Sequence, residues 1–571
     1  MQAHWILAPC DRERAGVLGL ALGVSPLCAQ LLINRGVDSP ELGRRYLAPR
    51  LADLRRPDGE LPMSGFARAV ERLERALTGG ETIGVFGDYD VDGVTSCALL
   101  TSFLTGAGGR VVPRVARRDT GYGFSVDDVQ AFHDAGCAVI VTCDLGTSDH
   151  EALAAARARG RDVIVVDHHQ VPDREPDALA LLNPHQPGCR FPFKGLASVG
   201  VAFYLAAALR TRLKARGQAE LPDPRDLLDL VAVGTVADMA PLTDENRILV
   251  HCGLRRLFAN QRPGIAALCA LAGLPEGIRR TADIGLRLGP RLNAPGRLGA
   301  AQTSLDLLLA PDAQRGEELA RACEDANAKR RDVQERVLKE ALVEAEAGVR
   351  NDHAVLVVAG EGWHPGVVGI VAAKLVDRFA RPAFVIALDG ATGRGSGRSA
   401  HGFDLHAGLK TCHEILVRYG GHAAAAGLTI DKARLPELSA RLQTAARAAL
   451  AEAALGQREL KVDAEVGLAE VDEPLATELQ RLEPFGIGNP EPLFGCRGVL
   501  LERARVVGNP PGHLQVTLRD GMHARDGIGF NLAERAPDLG SRVRAAFFPE
   551  LDTFRGVTRL RVRLREIVLE V

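Results

Sequence analysis

A chain of 571 residues is longer than one hydrophobic core usually serves, which argues for three or four domains. Hydrophobic residues at 46% and charged residues at 25% give the balance of an ordinary globular protein and exclude a disordered one. The formal net charge of -2 excludes a uniformly basic nucleic-acid binder, so any phosphate-gripping groove has to be local.

Residues 1 to about 60 read as helical and carry little chemistry. Asp11 to Arg14 follow a short apolar stretch without a signal-peptide layout, and no run approaches 18 uninterrupted apolar residues. The eleven cysteines contain no C-x-x-C pair, so neither a zinc ribbon nor a secreted disulfide framework is expected, and a cytoplasmic setting fits. Phe66 to Leu77 has helical apolar spacing and stops at Gly79-Gly80. Short apolar or β-branched runs follow at Thr82 to Phe86, Ala138 to Cys143 and Val163 to Val166. Amphipathic stretches such as Val126 to Ala135 and His150 to Arg159 separate them. The alternation predicts an α/β domain built on a parallel sheet.

Each of these runs ends in carboxylates: Gly87-Asp88-Tyr89-Asp90-Val91-Asp92-Gly93, then Asp144, then Asp167-His168-His169. Parallel sheets bind ligands at the carboxyl ends of their strands, so the three segments should meet in one crevice, with Asp238 as a fourth contributor. Five or more crowded carboxylates repel, and divalent cations are the natural compensation. Carboxylates with an imidazole suit Mn²⁺ or Mg²⁺ better than structural zinc, and two such ions suit an in-line phosphoryl displacement. Any one of these aspartates could be a helix cap or a solvated turn residue. Capping explains neither the paired histidines nor the alternation of Asp88, Asp90 and Asp92. A calcium loop of the EF-hand type lacks its Glu at the twelfth position and would not follow a strand.

Asp90-Val91-Asp92, Asp144, Asp167-His168-His169 and Gly234-Thr235-Val236-Ala237-Asp238 resemble, in order, the four signature motifs of the DHH phosphoesterases. GDYDVDGVT from Gly87, GYGFS from Gly121 and PRLNAPGRL from Pro290 are similar to the RecJ family within that superfamily, as is Phe86 where other members carry a histidine. The resemblance implies that Asp90, Asp92, Asp144, His168 and Asp238 hold metal, with Asp144 bridging and Asp88 close by. It implies that His169 faces the scissile phosphate and that Asp167 orients its neighbours. Leu145 and Ser198 depart from the pattern, standing where Asn and Gly are usual; neither is an expected ligand.

Farther on, Arg287, Arg291, Asn293 and Arg297 form either a solvated basic loop or a phosphate-binding stretch, and the family pattern favours phosphate contact for Arg291 and Arg297. Ala313 to about Ala347 predicts a long solvated helix connecting two domains. A second α/β unit follows, with strands at Val355 to Val358 and Ala383 to Ile386, a helix at Val367 to Phe379 and a glycine-rich loop at Gly393 to Ser399. Together with GWHPG at Gly362, GSGRS and Gly420-Gly421-His422 resemble the DHH-associated substrate domain, in which Ser396, Arg398, Gly421 and His422 would meet nucleic acid. Trp363 is equally a base-stacking residue or a core residue. From about Leu460, short strands between turn signals predict an all-β barrel, and Pro484 to Pro490 resembles the family's lead-in to an OB fold. Arg559, Arg561, Arg563 and Arg565 would line one strand face there, solvated or tracking a nucleic-acid backbone.

The expected organisation is thus a helical segment (1–65), a DHH catalytic domain (66–245), a helical region (246–348), a DHH-associated domain (349–450) and an OB barrel (455–571). The resemblance implies a 5′ to 3′ single-stranded-DNA exonuclease of DNA repair and recombination using two Mn²⁺ or Mg²⁺ ions. It also implies a monomer that works with a single-strand-binding protein and a RecQ-type helicase, away from membranes. The alternatives are a DHH phosphodiesterase of short oligonucleotides or cyclic dinucleotides, and an inactive DHH-like scaffold, which should have lost aspartates.

Overall fold

The computed structural model describes residues 3–57, 59, 62–117, 123–259, 262–274, 277–450, 459–508, 512–554 and 557–570. Gly121 and Tyr122 of the GYGFS segment, and Asn509 to Pro511 of a predicted turn, lie outside them. The chain divides into two compact units, one formed by residues 6–324 and 461–571 and the other by residues 1–5 and 325–460.

In the first unit, helix α1 (Phe66–Thr78) leads into a five-stranded parallel sheet of β1 (Thr82–Gly87), β2 (Arg110–Val115), β3 (Cys137–Cys143), β4 (Asp162–Val166) and β5 (Ala180–Leu182), in the order β2-β1-β3-β4-β5. The strand order reverses between β1 and β3. Chain leaving those two strands diverges there and opens a crevice at their carboxyl ends. Strands β3 and β4 are almost wholly buried, as continuous apolar runs in a covered parallel sheet must be. Helix α2 (Val91–Gly106) is apolar on every side and packs against α3 (Ser198–Ala215) and α4 (Leu228–Ala237), which leaves most of its length buried.

The N-terminal segment is helical at Arg12–Leu22, Pro26–Asn34 and Pro40–Leu47, after a strand at His4–Leu7 that the sequence did not suggest. Its helices do not stand alone. Leu18, Cys28, Leu31 and Leu32 share a core with Val466, Leu475, Phe494, Val516, Phe547 and Ile567 of the C-terminal region. Among the described residues no single helix is long and apolar enough to cross a membrane.

The second unit holds β6 (Leu356–Glu361), β7 (Ala383–Asp389), β8 (Thr392–Arg398), β9 (Leu416–Gly421) and β10 (Ala425–Asp431), ordered β9-β10-β8-β7-β6. The predicted glycine-rich loop is strand β8, paired on both sides. Gly393, Gly395 and Gly397 share one face, where a Cβ would collide with Phe384, Ile386 or Leu388. Arg394, Ser396 and Arg398 take the other face. The predicted solvated helix runs from Ala313 to Arg350 and is amphipathic rather than solvated all round. Cys323 joins the core of the first unit, and Val337, Ala341 and Ala345 join that of the second. Trp363 is a core residue, buried with its indole donating to Glu340 at 2.6 Å.

At the C-terminus, β11 (Phe494–Val507), β12 (His513–Asp520), β13 (His523–Gly529), β14 (Arg542–Phe554) and β15 (Val557–Leu569) pair in the ring β11-β12-β13-β15-β14, which β14 closes onto β11. The closed five-stranded barrel removes sheet edges and matches the OB architecture.

Candidate active site

The tight turn after β1 brings three aspartates together. A Cβ on Gly93 would collide with the backbone of Asp88, so only glycine lets helix α2 start so close to the strand end. Asp90 caps that helix, accepting from the amides of Asp92 and Gly93 at 3.0 and 3.1 Å. The capping reading is therefore correct for one oxygen of Asp90. It does not account for Asp92, whose carboxylate accepts from the amides of Ser198 and Val199 at 2.7 and 3.0 Å, at the start of α3.

Asp144 directly follows β3 with φ at 66°, a left-handed conformation that an aspartate tolerates better than most residues. Its Oδ1 accepts from the Ser198 hydroxyl at 3.0 Å. After β4, the Asp167 carboxylate accepts from the amides of His168 at 2.7 Å and His169 at 3.2 Å, and lies 2.7 Å from Nδ1 of His169. Burial alone would raise the Asp167 carboxyl, but its hydrogen bonds with His169 and Thr147 and the nearby imidazoles pull it well below the usual range. Burial alone would lower His169; the bond and charge of Asp167, with the surrounding carboxylates, raise it to about 9. Asp238 ends the buried helix α4.

These segments converge. Nε2 of His168 has no hydrogen-bond partner among the described residues, and it faces carboxylate oxygens of Asp144, Asp238 and Asp92 at 3.2, 3.8 and 4.0 Å. Burial, then the charge of its neighbour His169, lowers this imidazole to about 4, so it is neutral and suited to donate a lone pair. Desolvation and mutual repulsion push the carboxyls the other way. Asp92 rises to about 7, Asp238 to about 9, and Asp144 well above the carboxylate range. Two like charges about 4 Å apart cost roughly 4 kcal/mol at an effective dielectric of about 20, so this cluster cannot ionise fully without cations.

The donor set fits such cations. Asp92, His168 and Asp238 bring ligand atoms within 4.8 Å of one another, and Asp88, Asp90 and Asp144 do so separately. Asp144, His168 and His169 form a third such group, so Asp144 and His168 each belong to two groups and join the set into one cluster. Neutral imidazole nitrogen and hard carboxylate oxygens suit Mn²⁺ or Mg²⁺.

Above the cluster lies an open cleft of ≈ 300 Å³ lined by Asp88, Tyr89, Asp90, His169, Ala237, Asp238, Met239, Asn293 and Arg297. Asn293 and Arg297 come from helix Gly289–Arg297, where a Cβ on Gly296 would strike the carbonyl of Tyr89. Arg291, from the same helix, does not line the cleft; its guanidinium pairs with Glu324 and donates to the Arg287 carbonyl at 2.7 Å. In the second unit, Arg398 donates to Ser396 Oγ at 3.0 Å and pairs in register with Ala425, beside the turn that carries Gly421 and His422.

Sequence reasoning missed Asn183 and Thr147, and marked Ser198 only as a departure from the family pattern. Asn183 donates to the His169 carbonyl at 2.8 Å and to Thr147 at 3.3 Å, while the Thr147 amide reaches Asp167 at 3.3 Å. Asn183 directly follows β5, so the rule that found Asp144 would have found it as well.

Residues 82–235 match the DHH family N-terminal domain, 352–448 the DHHA1 domain and 462–566 the RecJ OB domain. The chain is 37% identical to the single-stranded-DNA-specific exonuclease RecJ of Escherichia coli (strain K12), over 97% of this chain and 98% of that one. It belongs to the RecJ family. The crystal structure of RecJ in complex with Mn²⁺ from Thermus thermophilus superposes with a TM-score of 0.85 at 30% identity, covering 99% of this chain and 80% of that one. The Mg²⁺ complex from the same organism gives 0.78 at 29%, covering 99% and 78%. RecJ relatives thus occur with both of the ions that the donor set favours.

Proposed function

We propose that this chain is a metal-dependent exonuclease specific for single-stranded DNA, releasing nucleotides 5′ to 3′ in DNA repair and recombination. The observation that carries the reading is the buried carboxylate cluster around a His168 nitrogen without a hydrogen bond among the described residues, at the crevice where the strand order reverses. Asp88, Asp90, Asp92, Asp144, His168 and Asp238 would hold two Mn²⁺ or Mg²⁺ ions. Bound there, the ions supply electrophilic charge to a phosphodiester oxygen and acidify water.

The chain's own groups do the rest. Asp167 engages Nδ1 of His169 and fixes the ring in the cleft that it lines, where it meets a phosphate oxygen of the substrate. Asn293 and Arg297 hold the phosphate from the far wall of the cleft. Arg291 supports that wall through Glu324. In the second unit, Ser396, Arg398, Gly421 and His422 bind further nucleotides, and the OB barrel adds a backbone-tracking surface. The five-part division at residues 65, 245, 348 and 450 describes the domains. The enzyme acts as a cytoplasmic monomer, supplied with single strands by a single-strand-binding protein and a RecQ-type helicase.

The test is hydrolysis of 5′- and 3′-labelled single strands and duplexes with Mn²⁺, Mg²⁺ or EDTA, with product lengths resolved. Mononucleotides released from the 5′ end of single strands, and lost with EDTA, are the expected result. Inert long strands with cleaved dinucleotides would replace this reading with a small-substrate phosphodiesterase.

A further inference from the structure

Ser198 occupies the first turn of α3 after Ala197, which provides no side-chain cap. The backbone amides of Ser198 and Val199 take one oxygen each of the Asp92 carboxylate. Any residue except proline at position 198 would supply that contact. The hydroxyl is different: it is fully buried and donates to Oδ1 of Asp144 at 3.0 Å, an oxygen that also faces His168 Nε2 at 3.2 Å. Asp144 itself stands on left-handed backbone immediately after β3.

We propose that Ser198 is a positioning residue for Asp144, setting the carboxylate's rotamer before an ion arrives; the inference rests on the two-ion reading above. One hydroxyl proton occupies one lone pair of Oδ1 and leaves the second lone pair and both lone pairs of Oδ2 for cations. A carboxylate already oriented loses less rotamer freedom when it is coordinated, and the hydrogen bond offsets part of the repulsion from Asp88, Asp90 and Asp92. The start of α3 therefore holds two carboxylates from two different strand ends. Asp92 depends only on backbone; Asp144 depends on the identity of one side chain.

Calorimetric titration of Mn²⁺ into the metal-free full-length protein tests this with Ser198→Ala and Ser198→Gly. The wild type should take up two ions. In both variants Mn²⁺ uptake should weaken by about 10- to 100-fold, the range typical for loss of an outer hydrogen-bonding partner, while the circular dichroism stays unchanged. Turnover lost at limiting Mn²⁺ should return at excess Mn²⁺, a rescue that a merely structural defect would not show. Alanine removes only the hydroxyl; should the glycine variant, which also loosens the helix start, fail to fold, the alanine variant decides the matter. Wild-type affinities for both ions in a folded variant would overturn the proposal and leave the metal site standing, whereas a wild type that takes up no Mn²⁺ would overturn both.

Discussion

The crevice of the parallel sheet and the arginine-rich strand of the barrel are both dense in like charge, and the fold treats them in opposite ways. On β15, Arg561 pairs with Glu550 and Asp552, and Arg563 pairs with Glu550 and Glu491 while lying over the Phe548 ring. In the crevice, Asp92 and Asp144 are buried, and the neutral His168 faces them with no hydrogen bond at its Nε2 among the described residues. Charge that the chain neutralises by itself serves the fold. Charge left crowded and buried anticipates something from outside.

The sharpest test of that contrast is Asp144→Asn, which keeps the shape of the side chain and removes its charge. Loss of several kcal/mol of charge stabilisation should lower kcat by about 10³-fold or more, with an unchanged circular dichroism spectrum. Wild-type turnover would break the comparison at once. His169→Ala should cost about 10²-fold in kcat with a smaller change in KM, since the ring acts on charge that develops during reaction; equal changes in both would make it a simple binding residue.

On the barrel, Arg559→Ala combined with Arg565→Ala should weaken binding of long single strands a few-fold and reduce the salt slope by roughly 0.7 per lost phosphate contact. Arg563→Ala should leave the slope alone and destabilise the fold by about 1 kcal/mol, because it strands Glu491 and leaves Glu550 with Arg561 as its remaining arginine. A salt slope that responds to Arg563 and not to the exposed pair would invert the assignment.

The smallest expected effect concerns Glu483, partly buried before the Pro484 to Pro490 segment, where burial raises its carboxyl to about 7 from 4.5. The unfolded chain ionises first, so this group's contribution to stability is intact below about pH 4.5 and falls as pH rises through 7. Glu483→Gln should match the wild type near pH 4.5 and gain roughly 2 kcal/mol at about pH 8. Equal melting curves at both pH values would show that Glu483 titrates normally.

The crevice was legible because its chemistry obeys a local rule, that polar residues ending apolar strands share one edge of a sheet. Asp88, Asp144 and Asp167 follow it within a residue or two of their strands. Ser198 does not, since it meets Asp144 only through the packing of α3 on α2, and no spacing encodes that meeting. Strand β8 reads as a loop because glycine is depleted in strands, and its pairing depends on Phe384 and Ile386 filling the space that side chains would take. The N-terminal helices were visible as helices, but their partner surface was not, because it lies hundreds of residues away along the chain.

That shared core has a consequence for synthesis. The apolar faces carrying Leu18, Leu31 and Leu32 leave the ribosome long before their barrel partners, which run from Val466 onward. At about 5–20 residues per second, tens of seconds pass before the two can meet. Through that interval the leading helices cannot take up the packing they have in the finished chain, so the N-terminal segment reaches its final state only with the barrel, among the last parts of the described chain to be made.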